Sequence, residues 1–229
     1  MSQVSTCKVS CPACQHEREA GLFDSLNGDL IKPQVEEILA GTFEEQECAA
    51  CGTLFRPEHP MLYSELSTRT WIVMHPPVDR ARFARIERGV TTVLERNFAQ
   101  AAPAVLEAVR GVRPRLVFGQ VMLTEALRVR RASLPPPLLE CAKLLAVRRN
   151  LAALLPYGPS QLLFEEVDDL GRLCCGVYSL DHDRRMGELR LPADALAEVR
   201  ASQAQLTQLY PELFAQPFVS ASRYLMGAE

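Results

Sequence analysis

The chain has 229 residues, 48% of them hydrophobic and 23% charged, with a formal net charge of −3. That balance fits one large or two small folded domains and excludes a disordered or low-complexity chain. The charge is unevenly placed: residues 1–78 carry 5 basic and 11 acidic side chains, 79–155 carry 14 and 6, and 156–229 carry 6 and 11.

The first ten residues lack the apolar run of a secretory leader, and no window approaches the roughly 18 to 20 apolar residues of a membrane span. The expectation is a cytoplasmic protein with reduced thiols. Residues 3–9 read as a strand running into CPAC (11–14), residues 17–26 as extended, and NGDL (27–30) as a turn. Pro33 suits a first helical turn, Val35, Ile38 and Leu39 have helical spacing, and Gly41 suits a C-terminal cap, which predicts a helix to about residue 40. Residues 42–48 read as a strand entering CAAC (48–51), and RTWIVMHPP (69–77) as a strand stopped by two prolines.

From Asp79, a plausible N-cap, Phe83, Ile86, Val90, Val93, Leu94 and Phe98 mark a long amphipathic helix. Pro103 starts a second helix through Val109, RLVFG (115–119) is open between strand and helix lead-in, and 120–131 is helical. Three prolines (135–137) precede a helix that sets Leu138, Cys141, Ala142 and Leu145 on one face and ends near Pro156. Residues 161–167 and 172–180 flank a DDLG turn as a hairpin, 187–192 can add a third strand, and 193–210 is a helix with Leu196, Val199, Leu206 and Leu209 inward. The organisation expected is α+β. A zinc-ribbon-like N-terminal β domain with an inserted helix spans 1–76, and a mainly helical domain with a small antiparallel hairpin region spans 77–229.

Cys11 and Cys14 recur in form as Cys48 and Cys51, followed by Gly52. Each pair can fold as a knuckle with both sulfurs aimed at one centre, and two knuckles offer four thiolates to a tetrahedral ion such as Zn²⁺. The 33 residues between the pairs carry their own strand, turn and helix, so the chain can close back on itself. A thioredoxin-like pair would be single and beside a βαβ unit, and a catalytic zinc would keep a position for water; the reading is a closed structural zinc. Its loss is expected to unfold residues 1–75. Cys7 reads as a strand residue and His16 as a neighbour of the metal.

The run from CPAC through KPQVEEILAGTFEEQECAACG to PMLYSE resembles the bacterial and archaeal CpXC domain family over about residues 5–75. Pro60, Leu62 and Tyr63 match the family's proline-led strand, and Ala49 stands where the second pair would carry a proline. The segment from Arg115 to Leu145 is similar to one that follows in longer members, which carry acids where this chain has Pro136 and Pro137. The resemblance implies four cysteines around a zinc and supplies no reaction.

Adjacent Cys174 and Cys175 should point to opposite faces of a strand, one in the core and one on the far side. Cys141 reads as core. His182, between two aspartates, reads as a polar hairpin loop. No phosphate loop, nucleophile elbow, HExxH or dinucleotide fingerprint is present, so nothing in the sequence supports an enzyme. The best-supported role is protein interaction or scaffolding. The alternatives are a nucleic-acid-associated zinc ribbon, which the acidity of residues 1–78 disfavours, and an enzyme with its site in the C-terminal half.

Overall fold

The computed structural model describes residues 2–180 and 183–224, without the side chains of residues 104 and 108. His182 therefore lies outside the described residues. The contacts divide the chain into two compact units: Met1–Pro76 with Gly89–Leu123, and Pro77–Arg88 with Thr124–Glu229.

The first unit is built on a mixed five-stranded sheet. Strands β1 (Gln3–Ser10) and β2 (Glu17–Asn27) pair antiparallel. Helix α1 (Lys32–Ala40) follows, then the two-residue strands β3 (Gln46–Glu47) and β4 (Leu54–Phe55), which pair with each other. β5 (Met61–Glu65) joins β2 in parallel, β6 (Thr70–His75) pairs antiparallel with β5, and β7 (Arg115–Phe118) closes the order β1-β2-β5-β6-β7 in parallel with β6. The segment left open between strand and helix is thus a strand.

α1 forms as the sequence dictates. Pro33 lies in the first turn, Val35 and Ile38 are buried, and Gly41 takes the left-handed C-cap at φ 75°. Tyr63, Trp71, Phe43 and Phe118 are almost wholly buried with it. A Cβ at Gly28 would fall 2.3 Å from the Tyr63 hydroxyl, so glycine there lets Tyr63 donate to Glu65 at 2.7 Å. The expected strand over 42–48 shrinks to β3. Glu44 sits in the left-handed region at φ 54°, and residues 42–45 form a turn.

Helix α2 (Phe83–Phe98) does not start at Asp79, which lies in a 3₁₀ turn over Pro77–Arg82 that the double proline imposes. α3 (Pro103–Val109) and α4 (Gln120–Arg131) follow.

In the second unit α5 (Pro136–Arg149) runs through the core, and the short α6 (Leu151–Leu154) follows it. An antiparallel meander of β8 (Ser160–Val167), β9 (Leu173–Ser179) and β10 (Arg185–Leu191) packs with it through Leu162, Phe164, Cys175 and Val177. The helix expected over 193–210 is broken at Ser202 (φ −103°, ψ 12°) into α7 (Ala195–Ala201) and α8 (Gln203–Leu209), before α9 (Pro211–Ala215). The break turns the second half, so Val199 and Leu206 are buried while Leu209, expected inward, is 57% exposed. α5 is buried nearly all round, Glu140 and Lys143 included, rather than along the one stripe its spacing suggests. The described residues contain no helix long and apolar enough to cross a membrane.

Candidate metal centre

The two cysteine pairs lie in the turns of two antiparallel hairpins, the first between β1 and β2, the second between β3 and β4. Their backbones repeat each other. The Cys11 N–H donates to His16 O at 3.0 Å, and the Gln15 N–H to Cys11 O at 2.9 Å. In the second knuckle the Cys48 N–H donates to Thr53 O at 3.0 Å, and the Gly52 N–H to Cys48 O at 2.8 Å. The residue after each pair is left-handed, Gln15 at φ 60° and Gly52 at φ 69°. Gly52 meets that need without cost and Gln15 bears it. A Cβ at Gly52 would touch nothing within 4 Å, so a substitution there strains the backbone alone. Gly52→Ala is expected to cost about 1 kcal/mol. Gln15→Gly should be within about 0.5 kcal/mol of wild type, strain relief being offset by the freer unfolded chain. Urea midpoints of the two variants check this asymmetry.

Three contacts bring the knuckles together. Phe55, directly after the second hairpin's turn, packs on a small cluster of Val9, Ala20 and Leu22 from the first. Arg18 donates to Glu47 O at 3.3 Å. The Glu44 carboxylate accepts the Phe23 N–H of β2 at 2.7 Å and meets His59 Nε2 at 2.7 Å, tying the turn ahead of β3 to the sheet. Burial works against the His59 imidazolium, but the Glu44 hydrogen bond and charge outweigh it and raise its pKa above 6.5. A raised histidine contributes stability that is full below its unfolded pKa and is lost as pH rises through the folded one. Melting temperature should therefore fall as pH rises upward from about 6.5, and the His59→Gln variant should lose that slope.

The sulfurs of Cys11, Cys14, Cys48 and Cys51 all lie within 4.8 Å of one another. Cys11 Sγ is 3.7 Å from Cys51 Sγ, and Cys14 Sγ is 3.5 Å from Cys48 Sγ. Cys11 and Cys48 are buried; Cys14 and Cys51 face solvent. The cluster ionises unevenly. The Thr53 hydroxyl and backbone beside Cys51, with its cysteine neighbours, bring that thiol down to about 6. For Cys14 the His16 backbone N–H favours the thiolate, but the bonds to Cys51 and Cys48 prevail and push it up to about 12. Sulfurs this close share protons because they repel as thiolates, and a soft cation between them removes that conflict. The donor set is compatible with a tetrahedral metal site.

Cys7 is a half-buried residue of β1, and His16 is exposed; neither belongs to the cluster. Cys141 is core, as expected. Cys174 and Cys175 point to opposite faces of β9, as expected: Cys175, at 0% exposure, lies in the core cluster, and Cys174, at 5%, is covered on the other face near Asp168, Glu188 and Arg190. Burial pushes Cys175 up to about 12 and Cys141 up to about 11, opposite to what a nucleophile needs. In the basic middle of the chain, Arg149 pairs with Glu198 at 2.9 Å and Arg148 lies over the Tyr210 ring.

Sequence reasoning missed two groups. The Glu44–His59 clasp joins residues 15 apart with no motif. The other is a fully buried cluster in which Lys143 pairs with Glu125 and, at 2.6 Å, with Glu140. Glu140 and Lys143 are three apart on a helix with apolar residues on every side, which was a usable signal.

A family model described as CpXC protein matches residues 9–143, more than half of the chain. The match begins at Val9, two residues before the first knuckle, and ends at Lys143 in α5. No curated protein matches the chain, and no solved structure does.

Proposed function

The chain belongs to the CpXC family, and from that membership and the sulfur geometry we propose that it is a zinc-stabilised cytoplasmic protein that carries a zinc-ribbon-like centre in its first unit and serves, as a whole, protein interaction or scaffolding. Cys11, Cys14, Cys48 and Cys51 hold the ion. One observation carries the reading: two knuckles with the same hydrogen-bond pattern place four sulfurs within 4.8 Å. A regular tetrahedron with Zn–S near 2.3 Å has edges of about 3.8 Å. Cross-knuckle separations of 3.5 and 3.7 Å lie close to that edge. Four thiolates leave no position for water, so the ion's work is to join the hairpins.

Protein contact is favoured over nucleic acid by what surrounds the charges. The segment of the first unit that holds the knuckles, residues 1–76, is acidic, and Arg149 in the basic middle is engaged by a carboxylate. Phosphate contacts dominate nucleic-acid affinity and need unspent cations. Leu151 and Leu155, one helical turn apart, are 56% and 68% exposed, the kind of surface a protein partner covers. Elemental analysis of the purified chain is expected to find close to one zinc per molecule. Titration with random duplex DNA near physiological salt should give no salt-sensitive binding, and purification from the native host should retain a protein partner.

A further inference from the structure

Each solvent-facing sulfur of the centre stands against a sheltered sulfur of the opposite knuckle. Exposed Cys51 faces buried Cys11 at 3.7 Å, and exposed Cys14 faces buried Cys48 at 3.5 Å. A small oxidant arriving from water meets Cys14 or Cys51 first, and for each a sulfur 3.5 or 3.7 Å away lies across the gap between the hairpins. The knuckle backbones are held by their own hydrogen bonds, Gln15 N–H to Cys11 O and Gly52 N–H to Cys48 O, and the cross-gap sulfurs must close from 3.7 and 3.5 Å to about 2.0 Å for a bond to form.

We propose that the four-cysteine centre is a peroxide-responsive switch: oxidation expels the metal and replaces it with two disulfides between the knuckles, Cys11–Cys51 and Cys14–Cys48. This rests on the metal reading above. In the first step an exposed thiolate attacks a hydroperoxide; the O–O bond breaks, a sulfenic acid forms and hydroxide leaves. In the second, the buried thiolate opposite attacks that sulfur, the S–O bond breaks and a second hydroxide leaves. The second pair repeats the sequence. Four thiolates and two molecules of hydrogen peroxide thus give two disulfides, four hydroxides and a free ion; sulfur loses four electrons and peroxide oxygen gains them.

The product differs from the chelated protein. Removing the ion under reducing conditions leaves the hairpins to the Phe55 cluster, the Arg18 hydrogen bond and the Glu44 clasp. Removing it by oxidation leaves them linked by covalent bonds closing loops of about 35 to 40 residues, the kind that constrains an unfolded chain. The oxidised, metal-free chain should keep its knuckles protease-resistant, and a thiol reductant with zinc should restore the starting state.

The experiment is a hydrogen peroxide titration of the full zinc-loaded chain in a Cys7→Ser background, so that exchange with that half-buried thiol is excluded. A chromophoric chelator follows the ion, and non-reducing peptide mapping follows the sulfur. About two equivalents of peroxide should release one of zinc. The peptide carrying Cys11 and Cys14 should be cross-linked to the one carrying Cys48 and Cys51, with fragment ions placing 11 with 51 and 14 with 48. Links closed within a knuckle, sulfinic acids without disulfides, or zinc retained at a large excess of peroxide overturn the proposal. If the purified chain binds no zinc, the metal reading fails. The same mapping on the reduced apo chain then decides the sulfur pairing: cross-knuckle links keep that part, and within-knuckle links reject it.

Discussion

Cys48→Ser is expected to reduce bound zinc from about one per chain to near zero and to open the knuckle end of the first unit to protease. Three thiolates and a hydroxyl make a poor zinc set, because the soft sulfur is replaced by a neutral oxygen that does not ionise near neutral pH. A closed structural zinc contributes on the order of 10 kcal/mol to the fold that binds it. Little else joins the hairpins: a three-residue apolar cluster with Phe55 against it, one Arg18 hydrogen bond and the Glu44 clasp. The sequence alone suggests that residues 1–75 unfold together. The sheet limits the damage, because β6 is paired on one side with β5 and on the other with β7, which comes from residues 115–118. Trp71, Tyr63 and Met74 are buried without help from the sulfurs. Limited trypsin digestion should therefore cut early after Lys8 and Arg18 and spare residues 61–75. A Cys48→Ser chain with a full zinc complement and the wild-type digestion pattern would show that the four sulfurs do not share an ion.

What could be read in advance divides along physical lines. α1 was legible because its start and stop are chemically specific, proline in the first turn and glycine in the left-handed cap. The knuckles were legible because metal chemistry demands a fixed residue type at a fixed spacing. β7 was ambiguous because three consecutive apolar residues satisfy either period, and the parallel pairing with β6 decides it. The shortening of the strand before Cys48 was not legible. Glu44 adopts a conformation its type disfavours, and it is held there by Phe23 and His59, neighbours that only the folded chain supplies. The basic middle stands out in the sequence only as a charge count, and the fold divides it: Arg149 is in an ion pair in the second unit and Lys143 is core. Counting charges along a chain cannot distinguish a solvated face from a buried pair.

That buried pair sets the second large effect. Lys143→Met keeps the length and apolar stem of the side chain but removes the ammonium. Glu125 and Glu140, both nearly inaccessible, would then each keep one backbone N–H, from Phe164 at 2.6 Å and from Ala221 at 2.7 Å, and repel each other. Removing one partner of a buried ionic cluster costs about 3–5 kcal/mol, and most of it is the uncompensated charge left behind. The pH dependence separates this from a packing defect. In the native chain burial already raises Glu125 above its ordinary 4.5, against the pull of Lys143. A raised carboxyl holds its proton more tightly folded than unfolded, so stability falls as pH rises from the ordinary value through the raised one. Without the ammonium the Glu125 carboxyl moves further up and that window widens. The loss in Lys143→Met should then be largest in urea unfolding near pH 8 and should shrink in acid, where protonation removes the charge. A loss of the same size at every pH would assign the effect to packing. Replacing all three side chains with apolar ones should not restore wild-type stability either. Phe164, beside the register shift in β8, and Ala221 would lose the carboxylate oxygens that accept their N–H groups, leaving two buried donors without them.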